Sequence, residues 1–239
     1  MVKAQNQLQD WLLTQAYGQQ VLLQIQQQLQ HLTGKQHYAQ VLQLGLPQVR
    51  LLPEAQCAQQ HFLDEAHAPI VADFERLPFA TESMDLVILP FVLSQHPNAH
   101  AVLREAQRVV CGYGQLLVLD LNPYSLWRVQ AKRLQAATGC QHEQTMTPRR
   151  LADWLQLLDM QPDLSRYINY LPLCQNRQQA QKWQWLEAAG NRWWPQAAAM
   201  YAMLAVKQTV SLKPLNQHNK RPERDNEVVL NPISVRKPD

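Results

Sequence analysis

Three positions in this chain fall at a spacing suited to holding a nucleoside. Gly45 closes a short apolar run, Val41–Gly45, and Asp64 lies 19 residues further on, after a weaker run at Gln60–Leu63. Asp73 follows a third run, Pro69–Ala72. A ribose diol needs a carboxylate that accepts two hydrogen bonds, and an exocyclic amine needs one acceptor. An acidic residue about 20 positions beyond a strand-ending glycine is where a βαβ nucleotide site meets the ribose hydroxyls. Solvated loop carboxylates at strand ends give the same pattern, so spacing alone leaves both readings open.

The elements that must position these residues are legible as alternating apolar runs and helical periods. Leu86–Leu89 is apolar and branched, bounded by Asp85 and Pro90, and reads as a buried strand. Asn98–Val110 has helical spacing, stopped by Gly112 and Gly114. Gln115–Leu119 is a further buried strand. Ser125–Ala137 reads as helix, and Thr147-Pro148 opens another with Thr as N-cap and Pro at the first helical position. Tyr167–Leu171 and Ala199–Lys207 read as strands, with a helix over Gln175–Ala189 between them. Ahead of all this, Leu8, Leu12, Ala16, Leu22, Ile25, Leu29 and Leu32 recur at three- and four-residue steps with a phase slip near Gly18. That predicts an amphipathic helix, or two joined there. The alternation implies a doubly wound α/β fold with a mostly parallel sheet, whose ligands bind beyond the carboxyl ends of the strands.

Composition narrows the function classes. A chain of 239 residues with 46% hydrophobic residues can bury a full core without disulfides or metals. Cys57, Cys111, Cys140 and Cys174 are scattered with no CxxC pair, which fits a reducing, cytoplasmic setting and gives no zinc pattern. No apolar run approaches the length of a membrane span. Residues 1–206 hold 15 basic and 15 acidic residues, so the excess of +3 lies in a proline-bearing tail. A neutral body makes nucleic acid an unlikely partner, and the tail reads as a solvated terminus. The expected organisation is a helical segment over 1–35, a domain over 36–207 and a disordered basic tail over 208–239.

The stretch from Asp73 to Trp127 carries a denser signal. Asp73 with Leu77-Pro78-Phe79, then Ser83-Met84-Asp85-Leu86-Val87, then Val92-Leu93 with His96, then Leu103-Arg104-Glu105 with Arg108-Val109, occur in order. This resembles the class I S-adenosylmethionine-dependent methyltransferases of the type 11 group. The resemblance implies a Rossmann-like, seven-stranded sheet and S-adenosyl-L-methionine as cofactor. It implies Gly45, Asp64, Asp73, Phe74 and Pro90 on the cofactor side, and His96, Asn122 and Tyr124 on the acceptor side. Asn122-Pro123-Tyr124-Ser125-Leu126-Trp127 follows the fifth strand, in the loop that borders the acceptor in such folds. No catalytic base and no metal site is assigned. The acceptor is expected to be small or lipid-like, with the N-terminal helix as a lid.

One segment departs from that pattern. Where the family has an acidic residue followed by a triple-glycine loop, this chain reads Gln43-Leu44-Gly45-Leu46-Pro47-Gln48-Val49. Proline removes an N–H and valine resists positive φ. The alternative is therefore a non-catalytic methyltransferase fold acting as an interaction module. A weaker third reading gives the basic tail a role on nucleic acid or acidic lipid.

Overall fold

The computed structural model describes residues 2–66, 68–139, 145–174 and 177–208. Apart from Gln208, the tail expected to be disordered lies outside the described residues, as does Cys140. Two helices come first, α1 (Val2–Thr14) and α2 (Ala16–Thr33), breaking at Gln15. The tight junction is set by Gly18, where a Cβ would lie 2.1 Å from the Trp11 carbonyl oxygen. The phase slip in the apolar spacing is thus a helix break a few residues earlier than the glycine that permits it.

The strands are β1 (Tyr38–Leu44), β2 (Cys57–Asp64), β3 (Ile70–Val71), β4 (Met84–Pro90), β5 (Val110–Leu121), β6 (Met160–Ile168) and β7 (Met200–Lys207). They form one seven-stranded sheet in the order β3-β2-β1-β4-β5-β7-β6, parallel except for β7, which runs against both of its neighbours. The remaining helices are α3 (Ala99–Val109), α4 (Leu126–Val129), α5 (Ala131–Thr138), α6 (Pro148–Leu157), α7 (Arg177–Lys182) and α8 (Trp185–Trp193). Thr147 caps α6 through a hydrogen bond from the Arg150 N–H, and Pro148 occupies the first turn.

Alternate residues of the central strands feed two cores. Leu86, Ile88, Leu117, Leu119 and Leu121 pack with α1 and α2 on one face. Val87, Leu89, Leu116 and Val118 pack with α3 and α6 on the other. Parallel strands are usually joined through a helix. Here the connections at 45–56, 65–69 and 72–83 contain, among the described residues, a single 3-10 turn at Glu54–Gln56 and no α-helix. The first half of the sheet is therefore wound with loops, and β2 keeps Ala58 and Gln59 exposed.

β6 lies earlier than the apolar signal at 167–171 suggested. It is an edge strand bearing Pro162, with a register irregularity between Pro162 and Leu164, and such a strand tolerates both proline and an outward polar row. β5 likewise begins earlier, at Val110: α3 ends at Val109, and Gly112 and Gly114, expected to stop that helix, lie within the strand.

Candidate functional site

The carboxyl ends of β1, β2, β4 and β5 gather the residues singled out above. Gly45 leaves β1 with φ +85° and its N–H donates to the Leu63 carbonyl at 2.7 Å, pinning the loop to β2. Leu46 then adopts φ +49°, a left-handed conformation that costs a non-glycine residue about 1 kcal/mol. Gln43 offsets this cost. Fully buried, its Nε2 donates to the carbonyls of Gly45 (3.2 Å), Leu46 (3.0 Å) and Val49 (2.8 Å). Pro47 and Val49 sit at negative φ, so their side chains cost the loop nothing in backbone strain. The glycine-poor loop is held from inside by an amide, whose role the sequence showed only as a missing carboxylate.

Asp64 ends β2 completely buried, and neither carboxylate oxygen has a hydrogen-bond partner. A carboxylate in that condition lacks the donors that burial normally demands. Asp73 is exposed and accepts from the Glu75 N–H at 2.8 Å, forming a tight turn. Phe74 behind it is fully buried. The following turn is clamped by α3. Arg108 forks onto Glu105 (Nε to Oε2 2.9 Å, Nη2 to Oε1 2.7 Å) and also donates to the Leu77 and Phe79 carbonyls. Glu105 accepts from the Leu77 N–H, and the bond from Arg108 holds the Glu105 carboxyl below its ordinary range. The Glu105–Arg108 motif is a staple for the turn that carries Asp73.

His96 is buried beside Phe74, with ring centroids 6.4 Å apart. Its Nδ1 accepts from the Asn98 N–H at 3.1 Å, which leaves the imidazole proton on Nε2. That nitrogen faces Glu65 Oε1 at 3.8 Å. One donor atom each from Glu65, Asp73 and His96 lies within 4.8 Å of the others. Burial raises the Glu65 carboxyl above its ordinary range, with His96 opposing and Asp73 and Asp64 adding to the rise. The geometry thus gathers His96 with Asp73, Phe74 and Glu65.

Asn122 spends its side chain on the backbone. Nδ2 donates to the Gln196 and Ala198 carbonyls, and Oδ1 accepts from the Tyr124 N–H. Tyr124 is exposed. Pro90 is buried at the end of β4, and the next residue, Phe91, turns into the apolar core with φ +57°. There Phe91, Leu121 and Trp127 meet Leu8, Trp11 and Leu12 of α1 around a void of about 10 Å³. Trp11 packs edge-on against Trp127 at 6.1 Å, and Trp127 Nε1 donates to the Leu171 carbonyl. Gln9 of α1 accepts from the Gln48 N–H of the loop. α1 therefore covers the strand ends and closes them. A larger cavity of about 620 Å³ lies on the other side of Trp11, between α1, α5 and Leu173-Cys174.

Asp120, at the carboxyl end of β5 where ligands of such sheets bind, is fully buried. It accepts from the Ser94 and Leu121 N–H groups, and burial pushes its carboxyl up to about 6 against those bonds.

Comparison with known proteins agrees with this architecture. Residues 27–118 match a family of methyltransferase domains. The chain is 26% identical over 208 residues to the uncharacterized protein YafS of Escherichia coli K12, covering 83% of this chain and 81% of that protein. Among solved structures it is similar to a complex between the Trm112 methyltransferase activator of Haloferax volcanii and a putative methyltransferase (TM-score 0.59, 14% identity, 86% of this chain and 98% of that one). It is also similar to an S-adenosylmethionine-dependent methyltransferase of Thermotoga maritima, a possible histamine N-methyltransferase (TM-score 0.57, 12% identity, 79% and 90%). The chain has the class I methyltransferase fold, with the seven-stranded, mostly parallel sheet the residues implied.

Proposed function

We propose that the protein is an S-adenosylmethionine-dependent methyltransferase that holds the nucleoside half of its cofactor at Asp64. The observation that carries this is the buried Asp64 carboxylate with both oxygens unpartnered. Two ribose hydroxyls would supply the two donors it lacks. Asp73 and the Phe74 backbone stand at the neighbouring strand end for the base, and Gly45 lets the chain turn close to it. His96 stands beside Asp73 and Phe74, its Nε2 3.8 Å from Glu65 Oε1. When bound, S-adenosylmethionine supplies a methyl group already activated on a sulfonium, so the protein has to align and desolvate more than to move protons.

The far half of the site is closed by apolar groups. Leu46, Phe91, Trp127 and Trp11 fill the space beyond β1 and β4, and none of the four cavities described is lined by Asp64 or Asp73. Entry of the cofactor requires α1 to withdraw, taking Trp11 with it, and its return excludes water from the transfer. His96 and Tyr124 are the acceptor-side candidates, while Asn122 acts by holding the loop between them and β7. The acceptor is small or lipid-like.

A second reading is favoured by the same closure together with the Gln43 clamp: a methyltransferase fold that binds no cofactor and serves as an interaction module. Calorimetry with S-adenosylhomocysteine separates the two. The proposal expects heat of binding for the native chain, at least tenfold weaker binding for Asp64→Ala, and binding no weaker for Trp11→Ala, in which the cover is cut back. No heat for either the native chain or Trp11→Ala, both folded, rejects it in favour of the second reading.

A further inference from the structure

Exposed tryptophan is rare, because indole gains much on burial. Here Trp183, Trp185, Trp193 and Trp194 are 44% to 68% exposed, all within α7 to the end of α8 and its junction. The rings of Trp183 and Trp185 are 6.5 Å apart, and the Arg192 guanidinium lies 5.8 Å from the centre of the Trp193 ring. α8 turns Leu186 and Gly190 inward and leaves Trp185 and Arg192 outside. Next in space comes the segment after β5, where Leu126 and Val129 are also exposed. The two segments are stitched together. Asn122 donates to Gln196 and Ala198, Trp127 donates to Leu171, and Gln130 accepts from the Leu173 N–H.

The charge on these segments is one-sided. Residues 122–139 and 169–199 contain Arg128, Lys132, Arg133, Arg177, Lys182 and Arg192 against a single acid, Glu187. Glu187 is turned inward, accepting from the Tyr170 N–H at 3.0 Å. The rest of residues 1–206 holds nine basic and fourteen acidic residues. The body is neutral only in sum: these two segments, which carry the exposed indoles, hold a net +5. Both segments leave the carboxyl ends of β5 and β6, the end of the sheet at which Gly45 and Asp64 lie.

We infer that this face docks on an anionic phospholipid surface. Indoles prefer the headgroup boundary, where their apolar body is buried and their N–H stays wet. Lysine and arginine beside them are drawn to acidic headgroups. The exposed aliphatics Leu126 and Val129 discriminate between lipid and nucleic acid: they have no use on a phosphate backbone but enter the acyl boundary. The docking would set the mouth of the site described above against the membrane, within reach of a lipid-like acceptor, yet it stands without cofactor binding and is tested without cofactor.

The test is cosedimentation of the full chain with vesicles of phosphatidylcholine alone and of phosphatidylcholine mixed with phosphatidylglycerol. Binding is expected to the mixed vesicles only, weakened by high salt. Brominated phosphatidylglycerol should quench the native tryptophan emission. Trp185→Gln combined with Trp193→Gln, folded by circular dichroism, should lose at least tenfold in binding. Lys132→Gln and Arg192→Gln should each cost about fivefold. The rival source of affinity is the tail, addressed by neutralising Lys213, Lys220, Arg221 and Arg224 in the full chain, which should leave most of the binding and all of the quenching. Binding lost in the tail variant but kept in the tryptophan variant overturns the inference. So does absence of binding or quenching with the native chain, or tighter binding to a single-stranded oligonucleotide than to the mixed vesicles.

Discussion

Placing a carboxylate at position 43, the residue type that the resemblance noted above implies there, should damage the protein. Gln43 is fully buried, and its Nε2 faces three carbonyl oxygens within 3.2 Å. An amide nitrogen has two hydrogens, so about two hydrogen bonds are made and one is shared. Gln43→Ala removes both and strands the carbonyls, which costs about 3 kcal/mol. At about 2–4 °C per kcal/mol for a chain of this size, the melting temperature should fall by roughly 6–12 °C. Gln43→Glu keeps the shape and reverses the chemistry. A protonated carboxyl can donate once; an ionised one donates nothing and points its charge at carbonyl dipoles. Its pKa in the folded state must rise above the unfolded value, and a rise of about 2–3 units adds about 3–4 kcal/mol of destabilisation once the group is ionised. Because the folded pKa is raised, the native state holds the proton more tightly. Stability is then greatest below the unfolded pKa and is lost as pH climbs through the folded one. Thermal unfolding followed by circular dichroism should therefore place Gln43→Glu near Gln43→Ala at pH 5 and well below it at pH 8. A Gln43→Glu protein that melts with the native chain at pH 8 would refute the clamp, because the loop carbonyls would then have to face elsewhere.

Two further outcomes follow from buried groups. Burial lifts the Asp120 carboxyl to about 6 from its ordinary 3.8, so it favours the folded state below about pH 4 and withdraws on the order of 3 kcal/mol as pH rises to 6. Asp120→Asn should flatten the urea-denaturation midpoint across that window relative to the native chain, and an unchanged slope would show that Asp120 does not titrate there. Trp127 is 2% exposed, donates to Leu171 and packs edge-on against Trp11; Trp127→Leu should cost about 3–4 kcal/mol in unfolding free energy, and a loss below 1 kcal/mol would mean that α1 does not depend on this contact.

The sequence was most informative where burial is two-sided. Leu86–Leu89 and Gln115–Leu119 are continuous apolar runs because both faces of the sheet are covered, and β4 and β5 contain them. It was least informative at edges. β2 and β6 carry polar outward rows, so Gln59 and Pro162 masked strands that the register makes plain. In the loop, the residues that stand out by type, Pro47 and Val49, have negative φ, while the left-handed position falls on Leu46 and the compensating amide lies three residues earlier. No local pattern announces such a bond, because its partners become neighbours only once the loop has folded back over Gln43. Asp64 could be placed at a strand end by counting, but its lack of partners is a property of packing alone. The closure by Trp11 and Phe91 joins residues 80 positions apart in sequence, and the exposure of the α8 tryptophans shows only when the inward face of that helix is known.

The most direct measurement is a structure of the full chain with S-adenosylhomocysteine. The account predicts adenosine density at the end of β2, both Asp64 oxygens within hydrogen-bond distance of the ribose hydroxyls, and α1 drawn back from Phe91 and Trp127. Ligand seated instead in the cavity behind Trp11, with Asp64 still buried and without a partner, would contradict it.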